Sequence, residues 1–332
     1  MQKMTRVVLA VLAVAGTTAA MAQSSVTLYG RVNTTVERQK VGDVSTTGLF
    51  NNSSRFGFKG TEDLGGGLKA GFQLESGFNS DTGAAASTFF GRQSEVNLSG
   101  NFGMVRLGNF FAESYYATAD YVSLHNHNTG SSSDAFYAYV MPDANKIAYR
   151  APALGNLTLE AAVSMHEQAV GGKNAFDLAA NYNLGALALG AGYSKLDDVN
   201  QFGLRAMYTF GAFTVGGYYQ RDENGREGTT VANSGKRDNF RLAGAYNLGA
   251  SEFHVNVGRT NSYKNVADSS ATQFTLGYNY NLSKRTKVYT YYTRVNNDAN
   301  ATYGYVFNDT LAAGQASGKD FSSFAVGVRH NF

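Results

Sequence analysis

The sequence predicts an all-β fold, a 16-stranded antiparallel transmembrane β-barrel. Three observations predict it. Hydrophobicity alternates with a period of two along most of the chain. No apolar run after residue 22 approaches the ~20 residues that a spanning helix needs. Short turns alternate with long polar loops, the asymmetry of outer-membrane barrels. Composition agrees: glycine (38), tyrosine (21) and phenylalanine (22) are abundant, proline is rare (2), and tryptophan and cysteine are absent. Hydrophobic residues make up 43%, yet mean hydropathy is −0.27, so apolar residues are interleaved with polar ones rather than gathered in blocks. Without cysteine there are no disulfides and no thiolate metal sites.

Taken in order, residues 1–22 read as a secretory signal peptide. Lys3 and Arg6 make a positive start, residues 7–15 a short apolar run, and Ala20-Met21-Ala22 a small-x-small cleavage pattern. Residues 23–332 would then be the barrel. Losing Lys3 and Arg6 takes the formal charge from +3 to +1, too near neutral to argue for nucleic acid as a partner. If this part lives in a membrane it must do so as a closed barrel, the strand solution that leaves no backbone group unpaired in lipid.

The strands alternate plainly. Val26, Leu28, Val32 and Val36 interleave with Thr27, Tyr29, Arg31, Asn33, Thr35 and Glu37. Phe56 and Phe58, then Leu68, Ala70, Phe72 and Leu74, repeat the scheme, as do Phe202–Tyr208 and Phe274–Tyr280. Short connections are expected at 63–67, 99–103, 151–156, 183–186, 209–212, 247–251 and 281–285. Longer polar segments lie near 38–53, 79–87, 112–143, 166–173, 195–200, 222–238, 261–270 and 296–319. Seven short turns and eight long loops join sixteen strands. Tyr182, Tyr208, Tyr246 and Tyr280 each stand just before a short turn, where amphipathic rings form an interfacial girdle. The last strand alternates Phe324, Val326, Val328, His330 and Phe332 with Ala325, Gly327, Arg329 and Asn331. Its terminal Phe332 looks like the signal by which the barrel-assembly machinery accepts a substrate.

Parity also gives an inventory of the lumen. Opposite the lipid-facing set lie Arg31, Arg55, Lys59, Lys69, Arg106, Lys146, Arg150, Arg205, Arg241, Lys287 and Arg329, against Glu37, Glu75, Glu95, Glu160, Asp177 and Glu252. Eleven bases against six acids predict a positive wall and a mild anion preference.

Five segments resemble the general trimeric Gram-negative porin family, with closest similarity to the porins of beta-proteobacteria. They are residues 24–30 (SSVTLYG), 54–78 (SRFGFKGTEDLGGGLKAGFQLESGF), 91–108 (GRQSEVNLSGNFGMVRLG), 279–287 (NYNLSKRTK) and 326–332 (VGVRHNF). The resemblance implies a homotrimer in outer-membrane lipid, each protomer passing small hydrophilic solutes and ions through its own pore. It also implies that a long third loop, here 112–143, folds inward as a constriction. On that loop the acidic candidates Glu113, Asp120 and Asp134 would face arginines on the wall, for which Arg55 and Arg92 match basic positions of the family. Many relatives carry arginine where Asn109 stands here. Arg92 shares the phase of Val96 and Leu98, so a bulge is expected to turn it inward. Arg31, placed nearer the short-turn end, is expected to weigh less on selectivity than Arg55.

Two other classes fit the composition. A barrel enzyme of the outer membrane needs a nucleophile or activated water beside a base, and none of His125, His127, His166, His254 and His330 falls in such a motif. His125 and His127 would supply two metal ligands, which leaves a site unfinished. A secreted β-rich adhesin would extract from cells without detergent. No cofactor, metal or catalytic residue is expected.

Overall fold

The computed structural model describes residues 25–120, 122, 130–167, 171–224, 233–304 and 316–332. The signal peptide read at residues 1–22 lies outside the described residues. Seventeen strand segments follow one another: β1 (Ser25–Val41), β2 (Val44–Asn51), β3 (Arg55–Gly65), β4 (Leu68–Gly77), β5 (Gln93–Gly100), β6 (Gly103–Asn109), β7 (Lys146–Arg150) and β8 (Leu157–Ser164). Then come β9 (Ala175–Leu184), β10 (Leu187–Leu196), β11 (Val199–Phe210), β12 (Phe213–Glu223), β13 (Lys236–Leu248), β14 (Ser251–Thr260), β15 (Ala271–Asn281), β16 (Thr286–Asn297) and β17 (Phe321–Asn331). They make sixteen staves, because β1 pairs with β2 over Thr34–Val41 and with β3 over Ser25–Arg31. β2 and β3 are thus two halves of one stave, broken at residues 52–54.

The first stave closes on the last. β1 pairs with β17 antiparallel from Arg31↔Asn331 to Val41↔Phe321. Gly30 and Phe332 extend that ladder by exchanging two backbone hydrogen bonds of 3.0 and 3.1 Å. Closure is what lipid demands, since an open edge would strand a row of amide and carbonyl groups at several kcal/mol each.

Burial is inverted relative to a soluble barrel. Val26, Leu28, Val32 and Val36 point outward and are exposed, whereas Asn33, Thr35, Glu37 and Gln39 point inward and are buried. Aromatic rings band the short-turn end: Tyr208, Phe210, Phe213, Tyr246, Phe253 and Tyr278 form an unbroken chain of ring contacts across β11–β15, with centroids 4.5–6.3 Å apart. Tyr182 and Tyr280 continue the outward exposure.

All seven short connections fall where the sequence places them. Two of the eight long loops do not. Residues 38–53 are the end of β1, a tight turn at Gly42 and Asp43, and β2; residues 195–200 are the ends of β10 and β11 joined at Asp197 and Asp198. Gly42 (φ 56°) and Asp197 (φ 56°) take the left-handed conformation that a two-residue hairpin turn requires. The polarity that suggested loops belongs to strands that run past the membrane into water.

Candidate functional site

The wall break at 52–54 is held by β1. Arg31 Nε donates to the Ser53 carbonyl at 3.0 Å, Asn33 Nδ2 to the Asn52 carbonyl at 3.0 Å, and Ser54 Oγ accepts from the Asn33 amide at 3.0 Å. Ser53 sits at φ 57°. These contacts spend the inward side chains of β1 on fixing the backbone just before Arg55.

The segment between β6 and β7 lies against the inner wall. It contains a short helix, α1 (Glu113–Tyr115), that continues into a π-helical turn (Tyr116–Asp120), and later a 3-10 turn (Gly130–Ser132). The wall makes room for the helical turn with glycines. A Cβ on Gly190 would stand 1.8 Å from the Ala117 carbonyl oxygen, one on Gly192 2.7 Å from Ser114 Cβ, and one on Gly203 2.9 Å from Thr118 Cγ2. Ser114 Oγ donates to the buried carboxylate of Asp177, which also accepts from Ser194 Oγ at 2.7 Å.

Beyond the turn the segment binds other staves. Ser131 Oγ donates to Glu37 at 2.7 Å and Gln273 Nε2 to the Ser133 carbonyl at 2.8 Å. Gln220 accepts from the Ala138 amide at 2.8 Å and donates to the Ala138 carbonyl at 2.9 Å. Asp134 pairs with Arg241 at 2.9 Å and accepts from the Tyr218 hydroxyl. Burial opposes its charge, but Arg241 and Tyr218 outweigh that and hold the carboxyl below its usual range. Along these bonds the segment touches β1, β9, β10, β12, β13 and β15.

Charges on the wall divide into two groups. In the first, cations are matched: Arg106 bonds Glu95 at 2.8 Å and Glu160 at 3.0 Å, while Arg150 bonds Glu160 at 2.8 Å and Glu113 at 2.7 Å. Arg237 and Asp222, both with buried side chains, pair at 2.7 Å. Burial raises the Glu113 carboxyl above its usual range despite Arg150, with Glu160 adding like-charge repulsion. In the second group cations outnumber acids. Arg31 and Arg55 are direct cross-strand partners, and so are Lys287 and Arg329. Arg31 feels the like charges of Arg55, Arg329 and Arg92. Glu75 contacts Arg92 at 2.6 Å and Arg55 at 3.5 Å, and Glu252 lies 3.8 Å from Lys287. This arc, running from Arg92 before β5 through β3, β1, β17 and β16, gathers five cations around two carboxylates among the described residues. Lys59 stands 5.2 Å from the Tyr29 ring beside it.

The structure therefore rearranges the site read from sequence. Glu113 and Asp134 do not face Arg55 and Arg92; Arg150 and Arg241 neutralise them, because those inward arginines lie directly under the segment. From the segment between β6 and β7, Phe111 lies under Arg92 at 5.9 Å, and Tyr116 feels the fields of Arg55 and Arg92 while burial and then Asp120 push its phenol above the ordinary range. Arg92 needs no bulge, since it precedes β5 and strand parity does not govern it. Asn109 donates to the Gly91 carbonyl at 2.9 Å and so fixes the backbone beside Arg92. Arg31 is level with Arg55 rather than nearer the turns. Lys146 is buried beneath Phe110, donating to its carbonyl at 2.6 Å, and pairs with Asp143 at 3.4 Å. Arg237 was missed because residues 222–238 read as loop, although it shares the alternation of Asn239 and Arg241. His125 and His127 lie outside the described residues, and among the described residues no group of three or more metal-ligating side chains occurs.

Comparison with known proteins agrees with this architecture. A family model described as Gram-negative porin matches residues 8–300. Outer membrane porin protein 32 of Delftia acidovorans is 33% identical, covering 99% of this chain and 100% of the relative. Major outer membrane protein P.IB of Neisseria gonorrhoeae is 41% identical over 26% of this chain and 27% of its own. Among solved structures, the anion-selective porin from Comamonas acidovorans superposes with a TM-score of 0.80 at 31% identity, covering 93% of this chain and 100% of that one. OmpF of Salmonella typhi shares the fold alone, with a TM-score of 0.69 at 15% identity over 92% of this chain and 97% of that one.

Proposed function

The chain belongs to the Gram-negative porin family and forms a channel across the outer membrane, and from that premise we propose an anion-preferring pore in a homotrimer. The observation that carries the preference is the arc of Arg31, Arg55, Arg92, Arg329 and Lys287. Like charges placed directly opposite on neighbouring strands destabilise a sheet. Two such pairs in one arc are retained at a cost in stability, and a positive wall facing an aqueous path concentrates anions. The similarity to a porin described as anion-selective supports the same reading.

In this reading residues 1–22 are the cleaved leader, 23–332 the barrel, and 112–143 the constriction. Arg55, Arg92 and Lys59 line one side, with Tyr116 and Asp120 opposite. Arg106, Lys146, Arg150, Glu113 and Asp134 hold the segment to the wall. The channel passes small hydrophilic solutes and ions passively and has no catalytic residue, metal or cofactor.

Planar-bilayer recording of the detergent-purified protein across a salt gradient tests this. The expected result is ohmic single-channel steps, in groups of three for the trimer, with a reversal potential of the sign set by anions. A cation-selective sign would overturn the preference. Hydrolysis of test esters or peptides, or recovery of the protein without detergent, would favour an enzyme or a secreted adhesin instead.

Assembly is expected to depend on Phe332 through the barrel-assembly machinery. Its ring lies over Gly30, where a Cβ would meet it at 2.5 Å. Deleting Phe332 removes this contact and two closing hydrogen bonds. Less heat-modifiable barrel in the outer membrane and more precursor in the periplasm are expected; equal folded amounts from mutant and wild type would refute the role.

A further inference from the structure

The segment between β6 and β7 has two unlike faces. Against the wall it is small: Ser114, Ala117 and Thr118 are buried over Gly192, Gly190 and Gly203. Its other face is aromatic. Phe111, Tyr115, Tyr116, Tyr137 and Tyr139 are half-buried and form one connected cluster, with ring centroids 5.4–6.4 Å apart. The glycines bring the helical turn so close to the wall that bulky side chains have room only on the side away from it.

The cluster is held in place. The Tyr139 hydroxyl accepts from the Ala112 amide at 2.8 Å, and the hydroxyls of Tyr137 and Thr118 share a hydrogen bond of 2.7 Å. Rings fixed in this way lose little further freedom when a solute stacks on them. A guanidinium stands at the edge of the cluster. The Arg92 guanidinium carbon is 5.9 Å from the centre of the Phe111 ring. Arg92 gives its Nε–H to Glu75 at 2.6 Å, and its two Nη groups have no hydrogen-bond acceptor among the described residues. Its side chain stays 20% exposed. A carboxylate is the acceptor that such a planar fork of N–H groups fits.

Resting on the anion preference argued above and deepening it, we propose that the constriction favours aromatic monocarboxylates among the anions it passes. The carboxylate bonds the Nη groups of Arg92, with Arg55 adding attraction, and the ring attached to it packs on Phe111 and Tyr116. A saturated ring of similar size and equal charge has the same carboxylate but lacks the π-face that offset or edge-to-face packing uses.

The test records chloride current through the purified full-length protein in planar bilayers while benzoate, cyclohexanecarboxylate or acetate is added. Benzoate is expected to halve the current at a concentration about fivefold lower than cyclohexanecarboxylate does, with acetate weaker than both. Phe111→Leu and, separately, Tyr116→Leu should bring the ratio of the two ring acids toward one, and Arg92→Gln should weaken both acids together. Heat-modifiability reports whether each variant folds, and Tyr116→Leu is read alone if Phe111→Leu does not. A cation-selective reversal potential of the wild type in a potassium chloride gradient would sink the anion preference itself. Equal potency of the two ring acids on an anion-selective channel would overturn the ligand class alone, as would a ratio that survives in the folded leucine variants.

Discussion

Arg55→Glu is expected to move the zero-current potential in a salt gradient toward the cation-selective side. Arg55 faces inward from β3, opposite Arg31 and beside the Glu75–Arg92 pair. A unit charge 4 Å from a passing ion is worth ~1 kcal/mol in bulk water and more where the path is partly desolvated. Reversing it shifts the local energy of a monovalent ion by about 2 kcal/mol, roughly thirtyfold in partition. Arg31→Gln should shift the potential in the same direction, because the two residues share one level of the wall; Lys40→Glu, on the outer face, should not. The shift should shrink as salt rises from about 0.1 M to 1 M, where the Debye length falls from ~10 Å to ~3 Å. A potential unmoved by both Arg55→Glu and Arg31→Gln would show that the arc does not border the ion path.

Gly190→Val is expected to lower single-channel conductance. No positive φ is recorded for Gly190, so its requirement is proximity rather than backbone freedom. Any Cβ there lies 1.8 Å from the Ala117 carbonyl oxygen, and the backbone of the π-helical turn would have to retreat about 1.6 Å to restore an ordinary 3.4 Å contact. Retreat from β10 moves the turn away from its own wall and into the lumen, weakening the Ser114–Asp177 bond and narrowing the path. Forcing volume into such a contact costs typically about 1–3 kcal/mol, little against a closed barrel, so the protein should still fold and conduct. Gly244→Ala serves as the comparison, since its nearest neighbour would be Val255 Cγ1 at 3.5 Å. Identical conductance for Gly190→Val and Gly244→Ala would mean that the segment's position does not limit flow.

Along the wall, sequence and structure agree wherever an outward side chain meets lipid. A one-residue slip would turn Val32 and Val36 inward and Thr35 and Glu37 into hydrocarbon, so alternation alone determined strand phase, the seven short turns and the sixteen staves. Near the loop end that constraint vanishes, because both faces of a strand meet water. There Lys40 and Ser45 looked like loop although they stand paired in a hairpin, and Arg237 was lost among polar neighbours. Parity likewise placed Arg55, Arg106 and Arg150 inward without saying what each would meet.

Their partners depend on which staves closure brings under the 112–143 segment, and on where that segment touches them. Its path hangs on glycine-floored contacts at Gly190, Gly192 and Gly203 and on hydrogen bonds to Asp177, Gln220 and Gln273, residues far away in the chain. Composition and period therefore determined the barrel and its membrane-facing surface. Only the tertiary structure decided that Glu113 and Asp134 are consumed by Arg150 and Arg241 rather than facing Arg55 and Arg92, because ion pairing is set by distances of a few ångströms that no periodicity encodes.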